Sequence, residues 1–138
     1  MKNKEESYHA FEILYWCGIR IGEPLALTAE DFDFEKKTLR INKSYQHIKG
    51  KDVITTPKTR KSNRVLTLPD FLSDEMQDYI SRLPYLKIDD RIFTITKSGL
   101  HHEMDRGCRE TGVKRIRVHD LRHPYVKPTT KKFITFFE

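Results

Sequence analysis

Apolar residues at the head of the chain recur with the period of a helix. Phe11, Leu14, Tyr15 and Gly18 stand at i, i+3, i+4 and i+7, which predicts a helix from about Glu5 to Cys17 with one face turned to a core. Gly18, just past the last periodic position, predicts the helix stop and a sharp turn that presents Arg20. Ile21, Leu25, Ala26 and Leu27 predict a second, short helix, in which Pro24 is tolerable only within the first turn. Thr28, with Asp31 three residues on, predicts a capped turn, followed by packing of Phe32 and Phe34 and an exposed Glu35-Lys36-Lys37.

Beyond Lys37 the pattern turns to strands. Thr38 to Asn42, Ser44 to Ile48 and Val53 to Thr56 are rich in β-branched and aromatic residues, and Gly50 marks a turn between the last two. Arg64 to Leu68 alternates polar and apolar positions and predicts a further strand paired with the preceding one across a basic loop, ended by Pro69. Helical spacing returns at Leu72, Met76, Tyr79, Ile80 and Leu83, closed by Pro84. Ile92 to Ile95 reads either as a short strand or as an extended lead into a turn at Ser98-Gly99. Leu100, Met104 and Cys108, at i, i+4 and i+8, predict a last helix ending near Gly112. The elements together describe a mixed α/β (α+β) fold, mostly helical, with a small three- to four-stranded antiparallel sheet.

With 138 residues and 37% hydrophobic content, the chain suits one domain with a modest core. Lys plus Arg number 26 against 20 Asp plus Glu, a formal charge of +6. The excess clusters at Lys58 to Arg64 and from Arg106 to Arg122, which favours a polyanionic partner; the same net charge spread evenly would be an inert basic surface. Cys17 and Cys108 lack CxxC spacing, so neither a zinc site nor a disulfide framework is suggested. No metal site is expected at His101 and His102. The charged opening Met-Lys-Asn-Lys-Glu-Glu is not a signal peptide and no run approaches membrane-spanning length, which predicts a soluble, cytoplasmic protein with no membrane partner.

Candidate chemistry begins at Val118-His119-Asp120-Leu121-Arg122-His123. Three positions separate His119 from Arg122, so a helical segment sets both on one face. A titratable imidazole beside a guanidinium that grips phosphate with two parallel hydrogen bonds makes half of a phosphoryl-transfer site. Gly18-Ile19-Arg20-Ile21-Gly22-Glu23 and Thr56-Pro57-Lys58-Thr59-Arg60-Lys61-Ser62-Asn63-Arg64 precede it in the chain. In this order the three motifs resemble the catalytic domain of the tyrosine recombinase (phage integrase) family, from about Tyr8 to His123.

That resemblance implies roles. Arg20 and Arg122 would grip the non-bridging oxygens of a pentavalent phosphorus centre, because guanidinium stays charged and binds two oxygens at once. Lys58, chosen over Lys61 for its Pro-Lys-Thr context, would protonate the leaving 5′ oxygen, with Arg60, Lys61 and Arg64 lowering its pKa and touching DNA. His119 would be the acid–base partner, and Glu23, Asp120 and His123 would support and orient the others. Against these stand plainer readings: an Arg20–Glu23 salt bridge, a surface charge at Arg122, a solvated basic turn at Lys58, and a hydrogen-bonded helix-start histidine at His119. The ordered motifs favour the functional ones.

The family's later His or Trp and its tyrosine nucleophile have no counterpart. Tyr125 lies three residues after Arg122 and follows Pro124, so local chain geometry ties it to the gripping arginine, away from the apical position of an in-line attack. Tyr8, Tyr15 and Tyr79 fall on predicted helices, Tyr45 in a predicted strand, and Tyr85 after a helix-closing proline. Pro124, Pro128 and the Thr129-Thr130-Lys131-Lys132 run oppose the long helix the family would build. Residues 1–123 are accordingly expected to be a partial catalytic domain and 124–138 an atypical, disordered tail following a truncation. The amino-terminal DNA-clamping domain of the family is expected to be missing.

The activity implied is site-specific cleavage and rejoining of DNA for integration or excision of a bacterial mobile element, acting on double-stranded DNA with sister integrase protomers and needing neither metal nor small-molecule cofactor. The alternative is a catalytically inactive DNA-binding or regulatory module derived from an integrase. A metal-dependent nuclease would require a carboxylate cluster that the sequence lacks.

Overall fold

Helical spacing at the head of the chain produces α1, Lys2–Cys17. The computed structural model describes residues 2–56, 63–84 and 86–112. These fall in two compact units, one of Met1–Ile21 with Ile95–Glu138 and one of Gly22–Thr94. In the first unit, Phe11 and Leu14 are buried as the apolar stripe predicts, but Tyr15 is only half-buried. Burial extends instead around α1 to Tyr8, Ala10 and Ile13 and to the polar Glu6, Ser7, His9 and Glu12. One apolar face thus understates how far the helix is enclosed. Glu6 shows one use of a buried carboxylate: its Oε1 accepts the backbone N–H of Ile95 at 2.9 Å. Gly18 ends the helix in the left-handed region, φ 63°, with its N–H donating to the Leu14 carbonyl.

The other described helix of this unit is α4, Lys97–Thr111, which buries Leu100, Met104 and Cys108. Ser98-Gly99 is therefore not a turn ahead of the helix but its first turn. The hydroxyl of Thr96 caps it by accepting the Gly99 N–H at 3.1 Å. Gly112 ends it with φ 71°.

The second unit starts with α2, Gly22–Leu25, where Pro24 falls within the first turn as its missing N–H requires. A single 3-10 turn, Ala29–Asp31, leads into β1, Phe32–Asp33. The remaining elements are β2 (Thr38–Ile41), β3 (Ser44–Ile48), β4 (Lys51–Thr55), β5 (Arg64–Thr67) and α3 (Asp70–Ser81). Strands β3 and β4 form an antiparallel hairpin closed by Lys49 and Gly50, both at positive φ, the backbone demanded by a tight two-residue turn.

The pairing of β5 departs from expectation. It does not continue the hairpin but joins β2, giving a separate sheet of order β1-β2-β5. The reason is burial. Leu39 and Ile41 of β2 are fully buried, so a partner there can sequester Leu66 opposite Leu39, whereas β4 exposes most of its residues. Residues 92–95 make no ladder strand; Ile92 donates to the Leu27 carbonyl beside an isolated Thr28–Arg91 bridge. The core of this unit comprises Leu25, Leu27, Leu39, Ile41, Leu72, Met76 and Phe93, with Tyr79 stacked on Phe93. Among the described residues no helix is long and apolar enough to cross a membrane.

Candidate functional site

Arg20 sits on the connection after α1. Ile19 before it is fully buried and Ile21 after it half-buried, so the side chain between them is sent outward, and Arg20 is exposed. Glu23, on α2, is buried, and both its carboxylate oxygens accept hydrogen bonds from Arg64: Nη1 to Oε2 and Nη2 to Oε1, each at 3.1 Å. Two parallel charge-assisted bonds are the strongest way for a guanidinium to hold a carboxylate. Glu23, expected as a support for the motif cations, is thus held by Arg64, itself one of the residues expected at DNA. Lys58, Arg60, Lys61, His119, Asp120, Arg122, His123 and Tyr125 lie outside the described residues.

The inward turn of Arg64 has a signal in the sequence. Residues opposite each other in an antiparallel ladder share a face, and Arg64 pairs with the buried Ile41 as Leu66 pairs with Leu39. Arg64, Leu66 and Leu68 are in phase, while Val65, out of phase, is 64% exposed. An arginine in phase with core leucines needs an internal anion, and Glu23 supplies it.

Two further polar clusters escaped the sequence reading, one in part and one whole. Asp31 accepts from the Thr28 N–H at 3.0 Å and the Thr28 hydroxyl at 3.2 Å, which is the predicted cap, and also from Arg40 Nη2 at 3.0 Å and from the Lys43 ammonium. Burial pushes its carboxyl up, but the hydrogen bonds from Lys43, the Thr28 backbone and Arg40 prevail and hold it below the ordinary 3.8. On the hairpin, the Tyr45 hydroxyl donates to Asp52 Oδ1 at 2.7 Å, and His47 Nδ1 lies 2.9 Å from the same oxygen. The guanidinium of Arg91 covers the Tyr45 ring at 3.4 Å while its Nε donates to the Leu25 carbonyl at 2.7 Å. The hydrogen bond to Asp52, with burial, raises the Tyr45 phenol above its usual range, and the bonds from Tyr45 and His47 lower Asp52. Positions 45, 52 and 91 have no short spacing to betray them. The cluster holds β3 and β4, from which the chain runs on to residues 57–62, to the end of α2. Among the described residues no three His, Cys, Asp or Glu side chains group as metal ligands.

The profile of the Phage integrase family matches residues 1–126. The ICEBs1 integrase of Bacillus subtilis (strain 168) is 27% identical over 129 residues, which cover 84% of this chain and 35% of that protein. The integrase of Mycobacterium phage L5 is 26% identical over 120 residues, 80% of this chain and 32% of the phage protein. Among solved structures, the Tn1549 transposon integrase in complex with a circular intermediate DNA superposes with a TM-score of 0.73 at 18% identity, over 94% of this chain and 49% of that one. The likeness is one of fold. This chain spans about a third of the length of these curated relatives.

Proposed function

Because this chain belongs to the phage integrase family, we propose that it supplies part of a tyrosine recombinase catalytic domain, gripping a DNA phosphate during strand cleavage and rejoining for a bacterial mobile element. The observation that carries this reading is the family match over residues 1–126, which takes in Arg20, Lys58, His119 and Arg122 in their motif order. In this reading residues 1–123 are the working part and 124–138 a tail. Arg20 and Arg122 bind the non-bridging oxygens where charge builds in the transition state. Lys58 gives a proton to the departing 5′ oxygen, His119 handles the nucleophile's proton, and Asp120 and His123 orient their neighbours. Arg60 and Lys61 contact backbone phosphates. Double-stranded DNA and sister protomers in the bacterial cytoplasm are the partners, and Tyr125 is not the nucleophile.

The test is DNA binding by the chain over a range of salt concentrations. Phosphate contacts dominate, so binding to a duplex should be nearly indifferent to sequence and should weaken steeply with salt. Arg20→Ala, Arg122→Ala and Lys61→Ala should each flatten the log–log salt slope by about 0.9, one phosphate contact apiece. Slopes unchanged in all three variants would remove these residues from the DNA interface.

A further inference from the structure

We propose that Tyr45, His47 and Arg91 form an anion site on the β3–β4 hairpin, which Asp52 fills from within and which a phosphodiester of DNA takes over on binding. The proposal rests on the reading above that the chain binds DNA. Three donors, two from β3 and one from the segment after α3, meet a single carboxylate. Asp52 Oδ1 accepts from the Tyr45 hydroxyl at 2.7 Å and lies 2.9 Å from His47 Nδ1, while Arg91 Nη1 stands 3.8 Å from Oδ2. The bond from Tyr45 first, then that from His47 and the charge of Arg91, hold the Asp52 carboxyl below its ordinary range, so the place they surround favours an anion. A phosphodiester offers the same pattern of acceptors, two oxygens sharing one negative charge.

The cradle is built without help from Asp52. The Tyr45 ring is buried and the Arg91 guanidinium covers it at 3.4 Å, while Arg91 Nε donates to the Leu25 carbonyl at 2.7 Å. His47, two residues after Tyr45 on the same strand and opposite Asp52 in the ladder, shares their face. The occupant is held far more loosely than its donors. The side chain of Asp52 is 59% exposed and that of His47 46%, whereas the side chain of Asp31, the anion of the other cluster, is fully enclosed. Asp52 can therefore turn into water and stay hydrated when another anion replaces it, an exit closed to Asp31. Lys49 and Lys51, exposed at the turn of the same hairpin, make a polyanion a better source of phosphate than the free ion.

Duplex binding by the 138-residue chain tests this. Asp52→Ala empties the cradle and should tighten binding about tenfold, the order of one charge-assisted hydrogen bond. Glu35→Ala, which removes an exposed acid of the same unit, should change it by less than about twofold. Adding Tyr45→Phe and His47→Ala to Asp52→Ala should abolish the gain, because the donors are then gone while the acid is still absent. A gain that survives in the triple variant is plain relief of repulsion and overturns the proposal, as does no gain in Asp52→Ala. Asp52→Asn, which keeps an acceptor for Tyr45 and loses the charge, serves instead if the alanine chain does not fold, with a gain in the same direction. Inorganic phosphate, followed through the imidazole signals of His47 by NMR, judges the site apart from DNA. It should shift those signals saturably in Asp52→Ala and more weakly in the wild type, and an unresponsive His47 in Asp52→Ala overturns the proposal. Where phosphate moves His47 but the duplex binds neither protein, the reading as a DNA-binding chain fails and the site takes free phosphate instead.

Discussion

Asp31 is an anion kept inside the fold by its donors, and its titration is readable as stability. Its folded pKa lies below 3.8, so its contribution is fully present above the unfolded value and is lost as pH falls through the folded one. Asp31→Asn should therefore cost about 2 kcal/mol at pH about 6, the order expected for hydrogen bonds to a charged group. The gap between wild type and variant, measured by urea denaturation, should close as pH drops below about 3.8. Asp52, also lowered, titrates in the same window in both proteins, so the difference isolates Asp31. A gap that stays constant down to pH about 2 would contradict the account. Half of this arrangement was legible: the spacing of Thr28 and Asp31 announces a cap, while Arg40 and Lys43 leave no mark because strand neighbours meet only after β2 folds. Arg64 is the converse case, since its phase with Leu66 and Leu68 was visible and its basic neighbourhood drew attention away from it.

Long periodic stretches announced α1, α3 and α4, because helix formation needs only local spacing. Strand partners are another matter. Alternation in Arg64 to Leu68 tells which residues face the core but not which strand lies alongside, and the buried Leu39 and Ile41 of β2 decided that. At the start of α4, the pair Ser98-Gly99 suggested a turn, yet the Thr96 hydroxyl extends the helix over it by satisfying the Gly99 N–H. Gly99 itself is required by crowding, since a Cβ there would come within 2.7 Å of Ile95 Cγ1. Thr96→Ala should destabilise the protein by about 1 kcal/mol, and Thr96→Ser should restore most of it. Equal unfolding midpoints for Thr96→Ala and wild type would show that the cap contributes nothing.

Taken whole, the chain's family was legible because three motifs stand in a fixed order, whereas its division into two compact units was not. One unit is made from both ends of the chain and the other from the middle, and no linker of distinctive composition marks the crossings at Ile21–Gly22 and Thr94–Ile95. The positive charge has its sense at this scale too, since part of the excess is consumed internally, as Arg40, Lys43 and Arg64 show. The most direct test is a crystal structure of the 138-residue chain bound to a DNA duplex. The account predicts guanidinium nitrogens of Arg20 and Arg122 about 3 Å from non-bridging oxygens of one and the same phosphate. Arg20 and Arg122 bound to separate phosphates, or both turned away from the DNA, would contradict it.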